Sequence, residues 1–225
     1  MKSIIISFIG TDGAGKSTII TELKKRLEQN QQDQPLTVKN AYFGWKPFLP
    51  TTKLLSFILK KKNYQIADKM NSKNNSKNAP TESKKFSLFQ EIMLCYYYLE
   101  YLSRYIFQLK LSLYKTKGKT ITLVDRYFYD MYAHYRYAEH SRIFPLLLKM
   151  MPKPDLTVFL TVDIQTAKER KPEMNLELLQ EHYQRYHQLS TLIEAKIVRT
   201  DQELEQSVQQ IQELMKEINP KEMIP

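Results

Sequence analysis

The sequence predicts an α/β fold of three layers: a parallel central sheet of about five strands with helices on both faces. Three observations predict it. Short apolar runs alternate with longer stretches of helical periodicity. The first run, Ile4-Ile5-Ile6-Ser7-Phe8-Ile9, is almost wholly apolar, as in a strand buried on both sides. It feeds a glycine-rich loop that passes directly into a helix pattern.

The elements follow in order. Residues 2–9 form the first strand. From Lys16, the residues Ile19, Ile20, Leu23 and Leu27 fall on one helical face, with Lys24, Lys25 and Arg26 opposite. After a Gln-rich turn at 29–34, a second strand runs from Leu36 to about Phe43, and residues 52–61 suit a short helix. A long aromatic-rich helix is expected from Phe86 to about Thr116, capped by Gly118. The next strand, 119–124, ends on Asp125-Arg126. Another, 156–162, follows the turn Pro152-Lys153-Pro154-Asp155. Asp163 is placed to cap the helix after it, Asn175 opens a helix to about Glu194, and 196–200 form a last short strand. Asp201 is expected to cap a final helix carrying Leu204, Val208, Ile211 and Leu214. No internal repeat is present, and residues 1–225 are expected to form a single domain.

Composition narrows the function classes. With 42% hydrophobic residues the chain can bury a sizeable core. No apolar run approaches the roughly 18 residues that span a bilayer, so a cytoplasmic protein without membrane partners is expected. The lone cysteine, Cys95, excludes an intramolecular disulfide and a Cys-rich zinc site; between Leu94 and Tyr96 it is expected to be buried. The net charge is +10, but residues 60–85 hold eight lysines against only Asp68 and Glu82, so +6 of it lies in that stretch. Lysine among Asn and Ser reads as a solvated, flexible insertion, and a nucleic-acid partner is not expected. His134, His140, His182 and His187 show no metal-ligand spacing and are expected on polar helix faces.

The chemistry starts at Gly10-Thr11-Asp12-Gly13-Ala14-Gly15-Lys16-Ser17, a phosphate-binding P-loop between a strand and a helix. Gly10, Gly13 and Gly15 let the backbone turn its N–H groups onto phosphate oxygens, and the helix N-terminus adds its dipole. Lys16 brings a mobile charge to the β- and γ-phosphates, and the Ser17 hydroxyl is suited to Mg²⁺. Gly10, Asp12, Gly13, Ala14, Gly15, Lys16, Ser17 and Thr18 are therefore assigned to ATP, and the fold to the P-loop NTPase type. A carboxylate at a neighbouring strand end must hold Mg²⁺ through water. Asp125 is preferred for that role over Asp163, because Arg126 beside it suits an anion site.

Three segments carry a resemblance. "Phe8-Ile9-Gly10-Thr11-Asp12-Gly13-Ala14-Gly15-Lys16-Ser17-Thr18", "Leu123-Val124-Asp125-Arg126-Tyr127" and "Pro154-Asp155-Leu156-Thr157-Val158-Phe159-Leu160" resemble, in order, the loop, Asp-Arg-Tyr and Pro-Asp-Leu-Thr segments of the thymidylate kinase family. The resemblance covers roughly 1–30 and 86–215. It implies transfer of the ATP γ-phosphoryl group to a nucleoside monophosphate, dTMP giving dTDP, with Mg²⁺ as cofactor. It also implies that Asp12 contacts the acceptor sugar hydroxyl, that Arg126 holds the acceptor phosphate, and that Arg104 reads the pyrimidine. Homodimerisation through helices follows from the resemblance too.

The chain departs from the family at several points. Ile9 stands where an acidic residue usually precedes the loop. Phe43-Gly44-Trp45-Lys46-Pro47 replaces an Arg-Glu-Pro segment, leaving Lys46 as a point-charge substitute and Trp45 as either a stacking wall or core. Tyr97 and Tyr101, one turn apart, are the candidates for stacking on the base. The segment Lys168-Glu169-Arg170-Lys171-Pro172-Glu173-Met174 occupies the lid position near 168–175, with Arg170 the transition-state cation and Lys171 its helper. These departures leave two other readings open: a kinase for a different nucleotide or small metabolite, and a catalytically weak ATP-binding regulatory protein.

Overall fold

The computed structural model of the chain describes residues 3–29, 36–44, 88–111 and 118–218. The expected helix at 52–61, the insertion at 60–85, Trp45 and Lys46 lie outside them. Five parallel strands make one sheet: β1 (Ser3–Ile9), β2 (Leu36–Tyr42), β3 (Lys119–Asp125), β4 (Leu156–Thr161) and β5 (Lys196–Arg199), in spatial order β2-β3-β1-β4-β5. Strand β1 is central, so the loop that follows it emerges between the ends of β3 and β4.

Side-chain alternation divides the core. Ile4, Ile6 and Phe8 of β1 join Ile121, Leu123, Val158 and Leu160 on one face, under helices α1 (Lys16–Gln29) and α8 (Leu204–Ile218). Ile5 and Ile9 join Val124 and Phe159 on the other face, with Leu94, Tyr98 and Tyr101 of α2 (Leu88–Arg104) and Tyr186 and Leu189 of α7 (Leu176–Leu192). The near-continuous Ile run of β1 is thus explained by burial on both faces. Asp155 registers β4 against β1: the Ile5 amide donates to its carboxylate at 2.8 Å, and its own amide donates to the Ile5 carbonyl at 2.9 Å.

Several expectations need correction. The long helix is α-helical only to Arg104 and continues as a π-helix over Tyr105–Lys110, which buries Leu109 while leaving Phe107 exposed. Between Arg126 and Pro152, where the sequence pattern assigned no element, lie α3 (Asp130–His134), α4 (Arg136–His140) and α5 (Phe144–Met150). Asp163 does cap α6 (Ile164–Arg170), accepting from the Gln165 and Thr166 amides, and Asn175 likewise caps α7. Asp201 caps nothing: α8 starts three residues later, and its carboxylate pairs with Arg199. Cys95 is exposed rather than buried. His140 and His187 are on the surface, but His182 is buried and packs on His134 with ring centroids 4.3 Å apart.

Candidate active site

The loop after β1 turns on glycine. Gly10, Gly13 and Gly15 all have positive φ, at 145°, 85° and 75°. At Gly13 a Cβ would lie 2.7 Å from the Ala167 carbonyl oxygen, and at Gly10 it would strike that of Leu160, so neither position has room for a side chain. Lys16 opens α1 and is buried beneath the loop, its Nζ donating to the carbonyls of Gly10 at 2.7 Å and Thr11 at 2.8 Å. Burial first, and then the Arg126 charge, lower its pKa to about 8. Ala14 is buried, whereas Ser17 and Thr18 are exposed on the first turn of α1.

One flank of the loop belongs to β4 and β5. Arg170, at the end of α6, is exposed and donates to the carbonyls of Gly13 at 3.2 Å and Thr200 at 3.1 Å. Thr200 in turn donates to the Ala14 carbonyl at 3.0 Å, a tie that no sequence pattern signalled. Lys171 does not join Arg170 there; it pairs with Glu173 at 3.6 Å. Lys168 closes the segment into a turn, donating to the Pro172 carbonyl at 2.6 Å.

The other flank belongs to β3 and β2. Asp125 ends β3 in register with Phe8 and Tyr42, and burial raises its pKa. Its Oδ1 is buried and has no hydrogen-bond partner among the described residues. Arg126 follows with φ 69°, its amide donating to the Phe8 carbonyl at 2.9 Å. Its Nη2 meets Asp12, and its Nη1 lies 2.8 Å from Asp130 Oδ2 and 3.0 Å from His134 Nε2. Burial alone would lower the pKa of Arg126 and raise that of Asp12; here the charged partners win. Arg126 is held fully charged by Asp130, Tyr186 and Asp12, and Asp12 is driven below its ordinary value by Arg126, Lys16 and His134.

Arg104 is only 3% exposed. It donates to the Gly44 carbonyl at 2.6 Å and to Glu100 at 3.3 Å, and sits 5.8 Å from the Tyr101 ring centroid. Its Nε and the Tyr101 hydroxyl are buried polar atoms with no hydrogen-bond partner among the described residues. Burial raises the pKa of that hydroxyl, and Asp130 adds to the rise while Arg104 and Arg126 oppose it. Tyr97 packs edge-on against Tyr135 at 5.9 Å, so the two tyrosines face different neighbours. The residues sequence reasoning missed are Asp130, His134, Tyr186 and Thr200. Of these only Asp130 lies close in sequence to a residue already assigned to the site, four positions after Arg126.

An oxygen-binding cation fits this donor set. Ser17 offers a hydroxyl and Asp125 a buried carboxylate oxygen without a partner, while no cluster of three or more His, Cys, Asp or Glu side chains exists among the described residues.

No protein-family model and no curated protein sequence matches the chain. Among solved structures it is similar to the crystal structure of thymidylate kinase from Ehrlichia chaffeensis, with TM-score 0.57 and 14% identity, over 96% of this chain and 100% of that one. At that identity the likeness is one of fold, and it agrees with the five-stranded parallel sheet and its two helical layers. The chain has the fold of a thymidylate kinase.

Proposed function

We propose that this chain is a Mg²⁺-dependent phosphotransferase of the thymidylate kinase type, moving the ATP γ-phosphoryl group to a nucleoside monophosphate, with dTMP the first acceptor to try. The observation that carries the reading is the juxtaposition at the C-terminal ends of the inner strands β1 and β3: a glycine-turned loop over Lys16, an unpartnered Asp125 oxygen, and Arg126 facing Asp12. Triphosphate would lie along Gly10–Thr18, with Lys16 leaving its two loop carbonyls for the β- and γ-oxygens. Ser17 directly, and Asp125 through water, would hold Mg²⁺, which neutralises charge developing on the transferred group. Arg170 already lies against the loop and would add its cation from the lid side, with Lys171 further out.

On the opposite flank the acceptor would meet Arg126 through its phosphate and Asp12 through its sugar hydroxyl. Arg104 and Tyr101, both buried on α2 with polar atoms unpartnered among the described residues, would read the acceptor base, with Tyr97 beside them on the same helix, and Lys46 is assigned to the acceptor by its place after β2. An acceptor phosphate is already anionic, so the chain needs no general base; alignment and charge neutralisation do the work. The reading takes the chain as one cytoplasmic domain whose partners are these two nucleotides, with no nucleic acid. Exposed Ile92 and Leu99 on α2 support a homodimer through that helix.

The test is ADP release, coupled to a reporter, with Mg·ATP and each nucleoside monophosphate in turn. Turnover with dTMP supports the full reading; turnover with dCMP or UMP but not dTMP leaves a kinase for another acceptor. That second reading is favoured by one observation: no arginine occurs between Arg26 and Arg104, so β2 brings no guanidinium to the acceptor. Tight ATP binding with no ADP from any acceptor would point instead to a regulatory ATP-binding protein.

A further inference from the structure

The guanidinium of Arg126 has two edges, and they are held differently. Nη1 donates to Asp130 Oδ2 at 2.8 Å, and Asp130 is 0% exposed. Nη2 meets Asp12, which is 34% exposed. Removing one partner of a buried pair leaves an uncompensated charge in low dielectric, whereas a half-open pair can exchange with solvent or ligand at little cost. The buried edge is therefore the fixed one.

Two further side chains secure Asp130 and that edge. Tyr186 of α7 donates its hydroxyl to Asp130 Oδ1 at 2.9 Å, so both carboxylate oxygens are engaged. His134 Nε2 lies 3.0 Å from Arg126 Nη1. Nε2 also lies 3.1 Å from the Tyr186 hydroxyl; since a guanidinium can only donate, the tautomer that bonds Arg126 is the one with its lone pair on Nε2 and its ring proton on Nδ1. Together they hold a residue whose backbone, at φ 69°, sits where side-chain-bearing residues persist only when their surroundings over-determine them.

We propose that Asp130 and His134 are positioning residues for Arg126: they keep the Nη1 edge anchored throughout, so that only the Nη2 edge passes from Asp12 to an incoming acceptor anion. The exchange releases the Asp12 carboxylate for a hydroxyl on the same acceptor. Specificity for an acceptor carrying both an anion and a hydroxyl then comes from splitting one ion pair. The inference rests on the phosphotransferase reading above.

The test uses the full chain, Mg·ATP and the best acceptor from the nucleoside monophosphate panel. Asp130→Asn is expected to raise the acceptor KM by about 10- to 100-fold, with the Mg·ATP Kd changed less than about 3-fold. His134→Gln, whose amide oxygen can accept from Nη1, should stay near wild type, while His134→Leu should follow Asp130→Asn. If Asp130→Asn fails to fold by circular dichroism, the His134 pair decides. An unchanged acceptor KM in Asp130→Asn, parallel loss of acceptor and Mg·ATP affinity, or equal behaviour of His134→Gln and His134→Leu overturns the proposal. A wild-type chain that yields no acceptor-dependent ADP sinks the kinase reading itself, and this role with it.

Discussion

Asp130 opens α3 four residues after Arg126 and forms with it a 2.8 Å ion pair whose acidic member is wholly buried. Such a pair is strongly destabilising to break from one side. Asp130→Ala is expected to cost about 3–5 kcal/mol, because Arg126 and Tyr186 both lose their partner in low dielectric. Asp12→Ala, on the exposed edge of the same guanidinium, should cost no more than about 1 kcal/mol. Urea unfolding of the two variants gives the comparison. Equal losses would show that the two edges are not held differently.

Lys16 and Arg126 should separate by ligand. Lys16→Ala removes the buried ammonium that now bonds the Gly10 and Thr11 carbonyls, and should weaken Mg·ATP binding by at least about 30-fold, abolishing turnover. Arg126→Ala should leave the Mg·ATP Kd within about 3-fold and reduce acceptor turnover by about 10³-fold. Calorimetry for ATP and coupled ADP release resolve the two effects. Loss of both functions in Arg126→Ala would contradict its place on the acceptor flank.

Gly13 tests the loop itself. At φ 85°, with a built Cβ 2.7 Å from the Ala167 carbonyl oxygen, alanine must move the loop, α6 or both. Gly13→Ala is expected to lower stability by about 1–3 kcal/mol and to weaken Mg·ATP binding, read by thermal melting and calorimetry. A variant with wild-type stability and affinity would mean that the loop is not the rigid cradle described.

The sheet was legible because its strands are short apolar runs between strong punctuation, and β1 needed only its Ile run and the glycines after it. The loop was legible because its chemistry demands fixed spacing. The clamp on Arg126 was not, since Asp130, His134 and Tyr186 come from two helices 52 residues apart at their contact, and no local period joins them. The same limit explains Cys95: an apolar neighbourhood in sequence says which helix is amphipathic, not which flank of the stripe meets solvent. Asp201 failed as a cap for a local reason, a competing Arg199 two residues back that takes its carboxylate.

His182 links the buried polar cluster to pH. Its ring is buried against His134, its Nδ1 has no hydrogen-bond partner among the described residues, and burial first, then the His134 charge, lower its pKa from 6.5 to about 4. The unfolded chain therefore binds more protons than the folded one between those two values. Stability from this residue is complete above pH 6.5 and is lost as pH falls through the window toward 4, by up to about 3 kcal/mol. His134, also lowered by burial, acts in the same direction. Urea unfolding of wild type and His182→Asn at pH 7, 5.5 and 4 isolates the term. The stability gap between them should shrink by about 2–3 kcal/mol across that range, because only in the wild type does unfolding expose an imidazole that then takes up a proton. If both proteins lose stability in parallel, His182 is not the group that titrates.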